Sequence, residues 1–157
     1  MPNCDEFITY KYEIIKKLIN SQEIIDLLTN QVGYDLDGAD DLLDKQIMSY
    51  RFVPEVENET NNYLTLSTKV TSIKNNTIME LQTSIYIIVP YALIKLPSSF
   101  KRKGNRIDNL VFEINKLLND TRTFGIGKIE MLPNTPFSPA EKHDGFEVRF
   151  KTIDFNT

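Results

Sequence analysis

The chain has 157 residues, enough for one domain with a real core, and its 41% hydrophobic and 25% charged residues are ordinary for a globular protein. Eighteen basic against 22 acidic residues leave a formal charge of -4, so no general attraction to nucleic acid or to an anionic membrane is expected. One cysteine, Cys4, excludes an intrachain disulfide and favours a reducing, intracellular setting. The polar, acidic start Met1-Pro2-Asn3-Cys4-Asp5-Glu6 does not read as a signal peptide. The longest apolar run, Ile85 to Val89, is far too short to span a bilayer.

Residues 6–29 repeat apolar residues at helical spacing. Ile8, Tyr12, Ile15 and Ile19 define one face, with Ile14 and Leu18 beside them. Ser21 suits an N-cap, so the spacing predicts two helices, or one kinked helix, with a break near Asn20. Residues 30–44, with Gly33, Gly38 and the mutually repelling Asp35, Asp37, Asp40, Asp41 and Asp44, read as a loop. Gln46 to Val53 reads as a strand that Pro54 stops.

Leu64, Leu66, Thr68 and Val70 then alternate with Tyr63, Thr65, Ser67, Lys69 and Thr71, as a half-buried strand does. Lys74-Asn75-Asn76 is a turn, and Ile78 to Val89 returns as a second long strand, giving a β-hairpin. Tyr86 and Ile88 oppose Ile85 and Ile87, so this end of the sheet is apolar on both faces and must be covered. A neighbouring subunit or the chain's own elements could do this, and the neighbour is the reading preferred here.

Residues 91–105 form a loop ending in Lys101-Arg102-Lys103-Gly104-Asn105. Arg106 to Leu118 is an amphipathic helix, Gly125 to Leu132 a short strand, and Pro133 to Gly145 a proline-containing loop. Phe146, Val148 and Phe150 alternate with charged residues in a last strand. These elements predict an α+β fold in a single domain over residues 1–157. Its sheet is mainly antiparallel, of about five strands, with the N-terminal helices and the later helix packed on one face.

Gly125-Ile126-Gly127 invites a cofactor-loop reading, yet it follows a helix and precedes a strand, the reverse of a dinucleotide fingerprint, and lacks the third glycine. Gly127-Lys128 is followed by Ile129 rather than the Ser or Thr of a phosphate loop, and a nucleophile elbow would need Ser where Ile126 stands. A hinge between helix and strand is the reading these residues support. Asp35-Leu36-Asp37-Gly38-Ala39-Asp40-Asp41 fails an EF-hand at Ala39, Asp40 and Gln46. His143, the only histidine, belongs to no zinc pattern, and the carboxylates form no arguable acid/base pair. No catalytic residue, cofactor or metal is therefore expected.

Lys101, Arg102, Lys103 and Arg106 form one basic cluster at a helix start, where the macrodipole disfavours cations. They are either a solvated surface or a contact for an acidic surface. Asp35, Asp37, Asp40 and Asp41 of a neighbouring copy offer such a surface, and a head-to-tail contact of this kind can close a ring.

The stretches RFVPEVENETNNYLTLSTKV (51–70) and IDNLVFEINKLLNDTRTFGIGKIEML (107–132) resemble the tail terminator or tail-completion (neck) proteins of Gram-positive phages and phage-like particles. The resemblance covers nearly the whole chain in its order of elements. It implies a hexameric ring, assembled in the host bacterial cytoplasm, that caps the tail tube and joins it to the head connector or stopper protein. DNA would pass through the lumen without specific binding, and no membrane is involved. It carries no cofactor and no catalytic residue, and it makes Pro54, Gly125 and Gly127 structural hinges. Partner contacts would fall on the loops at residues 54–62, 91–105 and 133–145. The alternatives are another neck or head-completion protein, such as a stopper or adaptor, and a small cytosolic ligand-binding or enzymatic α+β domain. A nucleic-acid module using Lys101 to Arg106 is disfavoured by the acidic total.

Overall fold

The computed structural model describes residues 4–54, 60–73, 78–119 and 129–155. Helix α1 (Cys4–Ile19) and helix α2 (Gln22–Thr29) are separated at Ser21, which adopts extended backbone and accepts the Ile24 N–H, as an N-cap does. The buried stripe of α1 runs through Tyr10, Ile14, Ile15, Leu18 and Ile19, whereas Ile8 and Tyr12 are exposed. The helix is therefore rotated from the expected Ile8/Tyr12/Ile15/Ile19 face. The i, i+4, i+8 row Tyr10/Ile14/Leu18 takes the core, and Lys11 reaches sideways to donate from Nζ to the Ser49 carbonyl (2.6 Å).

The expected loop at 30–44 contains a 3-10 helix, Leu36–Leu42. At three residues per turn, Leu36, Ala39 and Leu42 share one face, and that face packs on the core while the aspartates remain outside. Strand β1 is only Ile47–Met48 and pairs parallel to strand β2 (Tyr63–Ile73). The expected strand from Gln46 to Val53 is thus cut short. Lys11 takes the Ser49 carbonyl, and Phe52 then turns onto the sheet to lie 4.9 Å from the Tyr63 ring.

Strand β3 (Ile78–Pro90) pairs antiparallel with β2, as the hairpin reading requires, although the turn at Lys74-Asn75-Asn76 lies outside the described residues. Helix α3 (Arg106–Leu118) matches its expected limits. Strand β4 (Glu130–Met131), strand β5 (Thr135–Phe137) and strand β6 (His143–Phe155) follow. Only the end of the expected Gly125–Leu132 strand is described, and β5 and the start of β6 occupy part of the expected Pro133–Gly145 loop. The sheet order is β1-β2-β3-β6-β4, with β5 also on β6, and every pairing except β1–β2 is antiparallel. The fold is α+β, as expected, with six strands among the described residues.

The registers set two faces. Leu66, Ile85 and Val148 form one row across β2, β3 and β6, with Leu64, Ile87 and Phe146 in another. This face meets α1, α2 and α3 in the main core. The opposite face carries the row Ser67, Ser84 and Arg149 and, at one end, a small apolar cluster of Met48, Tyr63 and Ile88. That cluster is not left for a neighbour. Phe52 and Phe137 of the same chain close over it, and Phe137 meets Tyr86 edge-to-face at 5.4 Å. The expectation of a subunit covering Ile88 is corrected accordingly: the segment after β1 and strand β5 fold back onto the sheet.

Gly145 pairs with Phe137 across β5–β6, and a Cβ there would fall 2.6 Å from the Phe137 ring. The close approach of ring to backbone requires glycine at this point. Gly145→Ala is expected to cost ~1–3 kcal/mol in chemical denaturation because the ring is forced off its seat. Phe137→Ala removes the clash, so the double variant departs from additivity by more than about 0.5 kcal/mol. Additive losses would show that the ring does not depend on the missing Cβ.

Candidate functional site

The start of α3 is built by a chain reversal. Lys101 (φ 52) and Gly104 (φ +84) adopt left-handed backbone, and Asn105 caps the helix. Asn105 Oδ1 accepts the Asp108 N–H (2.8 Å) and Asp108 Oδ2 accepts the Asn105 N–H (3.3 Å), a capping box that places a carboxylate at the positive helix end. Asn109 Nδ2 donates to the carbonyls of Lys103 (2.9 Å) and Asn105 (2.8 Å), which pins the loop to the helix.

The four expected surface cations separate into two groups. Arg106 is 0% exposed, so it cannot serve as a partner contact, which corrects its place in the basic cluster. Its guanidinium donates Nε–H to the Leu93 carbonyl (2.7 Å), Nη1 to the Leu27 carbonyl and Nη2 to Asn30 Oδ1. It also lies 5.6 Å from the centre of the Phe100 ring. Its partners are carbonyl and amide oxygens rather than a carboxylate, and desolvation by burial lowers its pKa to about 10. Arg102 is committed within the chain too: Nη1 lies 2.8 Å from Glu113 Oε1 and 3.3 Å from Asn109 Oδ1, with Glu113 nearly buried. Lys101 and Lys103 remain exposed, and among the described residues neither makes an ion pair.

Lys103 and Arg102 line a shallow cleft of about 310 Å³ together with Asp108, Asn109 and Phe112. Phe112 stands on the outer face of α3 at 59% exposure, an aromatic ring between cationic and hydrogen-bonding neighbours. The cleft thus brings together cationic, amide and aromatic groups and the Asp108 carboxylate.

The acidic segment lies elsewhere in the helical layer, where its 3-10 helix packs on α1 and α2. Asp35 caps it, its Oδ1 accepting the Asp37 N–H (3.0 Å). Asp26 of α2 ties down the approach by accepting the N–H groups of Gly33 and Tyr34 (both 3.0 Å). Asp35, Asp37, Asp40 and Asp41 are all exposed. Among the described residues no group of His, Cys, Asp or Glu is arranged to hold a metal ion.

Pro54 is buried at the end of the segment that crosses the small cluster, whereas Gly125 and Gly127 lie outside the described residues. His143 is buried at the start of β6, with Nδ1 2.9 Å from the Glu141 carbonyl. A second cleft, of about 160 Å³, opens on the outer sheet face where the Arg51 guanidinium lies 5.6 Å from the Tyr86 ring centre. The structural role of Arg106 was missed in the sequence; its one signal was a cation at a helix start with no helical reason to be there.

Residues 13–152 match the model of the YomW family, a phage-associated family, and the chain belongs to it. No curated protein matches the chain significantly. No helix among the described residues is long and apolar enough to cross a membrane.

The division of the basic cluster is measurable by denaturant unfolding. Arg106→Ala leaves buried carbonyls unsatisfied, at ~1–3 kcal/mol each, and is expected to lose about 3 kcal/mol or more. Arg106→Lys should not restore it, because one ammonium cannot span three oxygens in a planar fork. Lys101→Ala and Lys103→Ala should stay within about 0.5 kcal/mol of the parent chain. Equal losses at all three positions would contradict the division.

Proposed function

We propose that this member of the YomW family is a structural, non-catalytic protein of the tail neck in a phage or phage-like particle. On this reading it forms a ring, a hexamer, that caps the tail tube and joins it to the head connector or stopper. The observation that carries the reading is the match to a phage-associated family over residues 13–152. The neck role rests on the resemblance of residues 51–70 and 107–132 to tail terminators. The order of helices, aromatic–Val–Pro segment, hairpin, helix and closing strand is compatible with it.

The charges suit the role. A net charge of -4 gives no general attraction to DNA, so a duplex could pass through the ring without being held by it. Lys101, Lys103 and Phe112 on one surface, and Asp35 to Asp44 on another, are available for protein contacts.

Light scattering behind size exclusion, on the chain alone and with the tail-tube protein of the same particle, tests the proposal. A hexamer of the 18.2 kDa chain, or assembly on tube ends that stops tube growth, is the expected result. A chain that stays monomeric and ignores both tube and connector would overturn it.

A further inference from the structure

Several surfaces could join two copies of the chain, and the structure discriminates among them. Beyond Thr65, no described strand pairs with the outer side of β2, so Leu66 to Ile73 form a sheet edge. That edge is blunted by exposed Lys69 and by a bulge between Val70 and Ser72, the features that oppose edge-to-edge pairing. The apolar end of the outer sheet face is closed by Phe52 and Phe137 of the same chain. The charged surfaces of the helical layer are different, for they are built, exposed and complementary.

On the α3 surface, Lys103 lines the cleft beside exposed Phe112, its carbonyl held by Asn109, which also accepts from Arg102, and Lys101 is exposed two residues earlier in the same loop. Asp108 also lines this cleft, and one of its oxygens is occupied by the Asn105 N–H. On the acidic surface, Asp37, Asp40 and Asp41 project from a 3-10 helix whose apolar face is anchored in the core. No basic residue lies between Asn30 and Asp44, and Val32 (57% exposed) and Leu43 supply apolar surface next to the aspartates. Among the described residues no ion pair joins these two surfaces within one chain.

We infer that the α3 surface of one copy docks on the acidic 3-10 helix of the next. Lys101 and Lys103 face Asp37, Asp40 and Asp41, and Phe112 rests against Val32 or Leu43. The inference deepens the ring reading above and rests on it. Because the two surfaces differ, the contact is heterologous, and it propagates until the rotation between copies closes it. Charge complementarity sets the register and the association rate, while the desolvated aromatic supplies the anchor.

The test uses two full-length variants whose charges are reversed on opposite surfaces, Lys101→Glu/Lys103→Glu and Asp40→Lys/Asp41→Lys. None of these four side chains makes a hydrogen bond or ion pair within the described chain, so folding should survive, and circular dichroism and unfolding midpoints check it. Sedimentation velocity at ~0.05 M salt then follows assembly, alone and on tail-tube ends. Each variant alone is expected to associate at least about tenfold more weakly than the parent chain. Their equimolar mixture is expected to recover the parent assembly, because the acidic α3 surface of one now meets the basic 3-10 helix of the other. Phe112→Ser should weaken the parent assembly without lowering the unfolding midpoint.

Rings that form normally from either variant alone, or a mixture that fails to recover, would overturn this interface and leave the ring reading standing. Variants that still form rings but no longer bind the tube or connector would assign the surfaces to that partner, again overturning the self-contact. A parent chain that never self-associates, alone or on tube ends, would overturn both.

Discussion

The C-terminal carbonyls of α2 are the point on which the helical layer depends. A helix end leaves its last carbonyls without intrahelical donors, and in this fold that end is buried. Asn62 Nδ2 donates to the Leu28 carbonyl (3.0 Å) and lies at 3.5 Å from that of Leu27. Gln46 Nε2 reaches the Leu28 carbonyl (3.0 Å), and Arg106 Nη1 completes the set at Leu27. Asn30 adopts the left-handed conformation (φ 61) that ends the helix, and its side-chain oxygen accepts from Arg106 as well. One buried helix end thus draws in the approach to β1, the start of β2 and the first residue of α3. The Gln46 carbonyl in turn accepts the Leu64 N–H, which sets the parallel register of β1 on β2.

This arrangement explains why a cation lies where the macrodipole of α3 would reject it. The guanidinium of Arg106 is turned away from its own helix and toward the negative end of α2, where its charge is favoured. Burial opposes the cation, which is why its pKa falls, yet about 10 still leaves it charged near neutral pH. The positive end of α3 is meanwhile served by Asp108 through the capping box. The two helix termini are satisfied by residues two positions apart in sequence, one pointing inward and one outward.

The elements whose pattern is local were legible. Ser21 marked the break between α1 and α2, the alternation from Tyr63 onward marked β2, and the stripe Ile107/Leu110/Ile114/Leu118 marked α3. Elements that depend on distant partners were not. The rotation of α1 follows from its contacts with β2 and the 3-10 helix, so Ile8 and Tyr12 looked as apolar as the residues that were buried. The 3-10 helix did leave a signal, apolar residues at 36, 39 and 42, but a period of three is hidden when five aspartates surround it. Strand β1 was overextended because Phe52 and Val53 suit a strand, while the aromatic is used to cover the far side of the sheet. Of the expected contact residues, Lys101, Lys103 and the aspartates kept their exposure. Arg106 did not, because a long side chain's destination is set by acceptors remote in sequence.

A sheet flanked on one face by helices has three ways to meet a partner: its free face, its edges and the outside of its helices. Here the free face folds its own aromatic residues over its apolar end, and its next two rows are internally engaged, with Ser84 donating to Glu147 (3.1 Å) and Arg149 to the Pro133 carbonyl. The β2 edge is interrupted by a bulge and a lysine. The exposed charges of the helical layer differ from these surfaces, and the charges there fall into two kinds. Arg106 and Arg102 are consumed in holding the layer together, and Asn109 ties the Lys103 backbone to α3, while the side chains of Lys101, Lys103 and Phe112 remain exposed. A backbone held in this way loses little conformational freedom on binding, so the entropic cost of a contact falls mainly on the exposed lysine side chains.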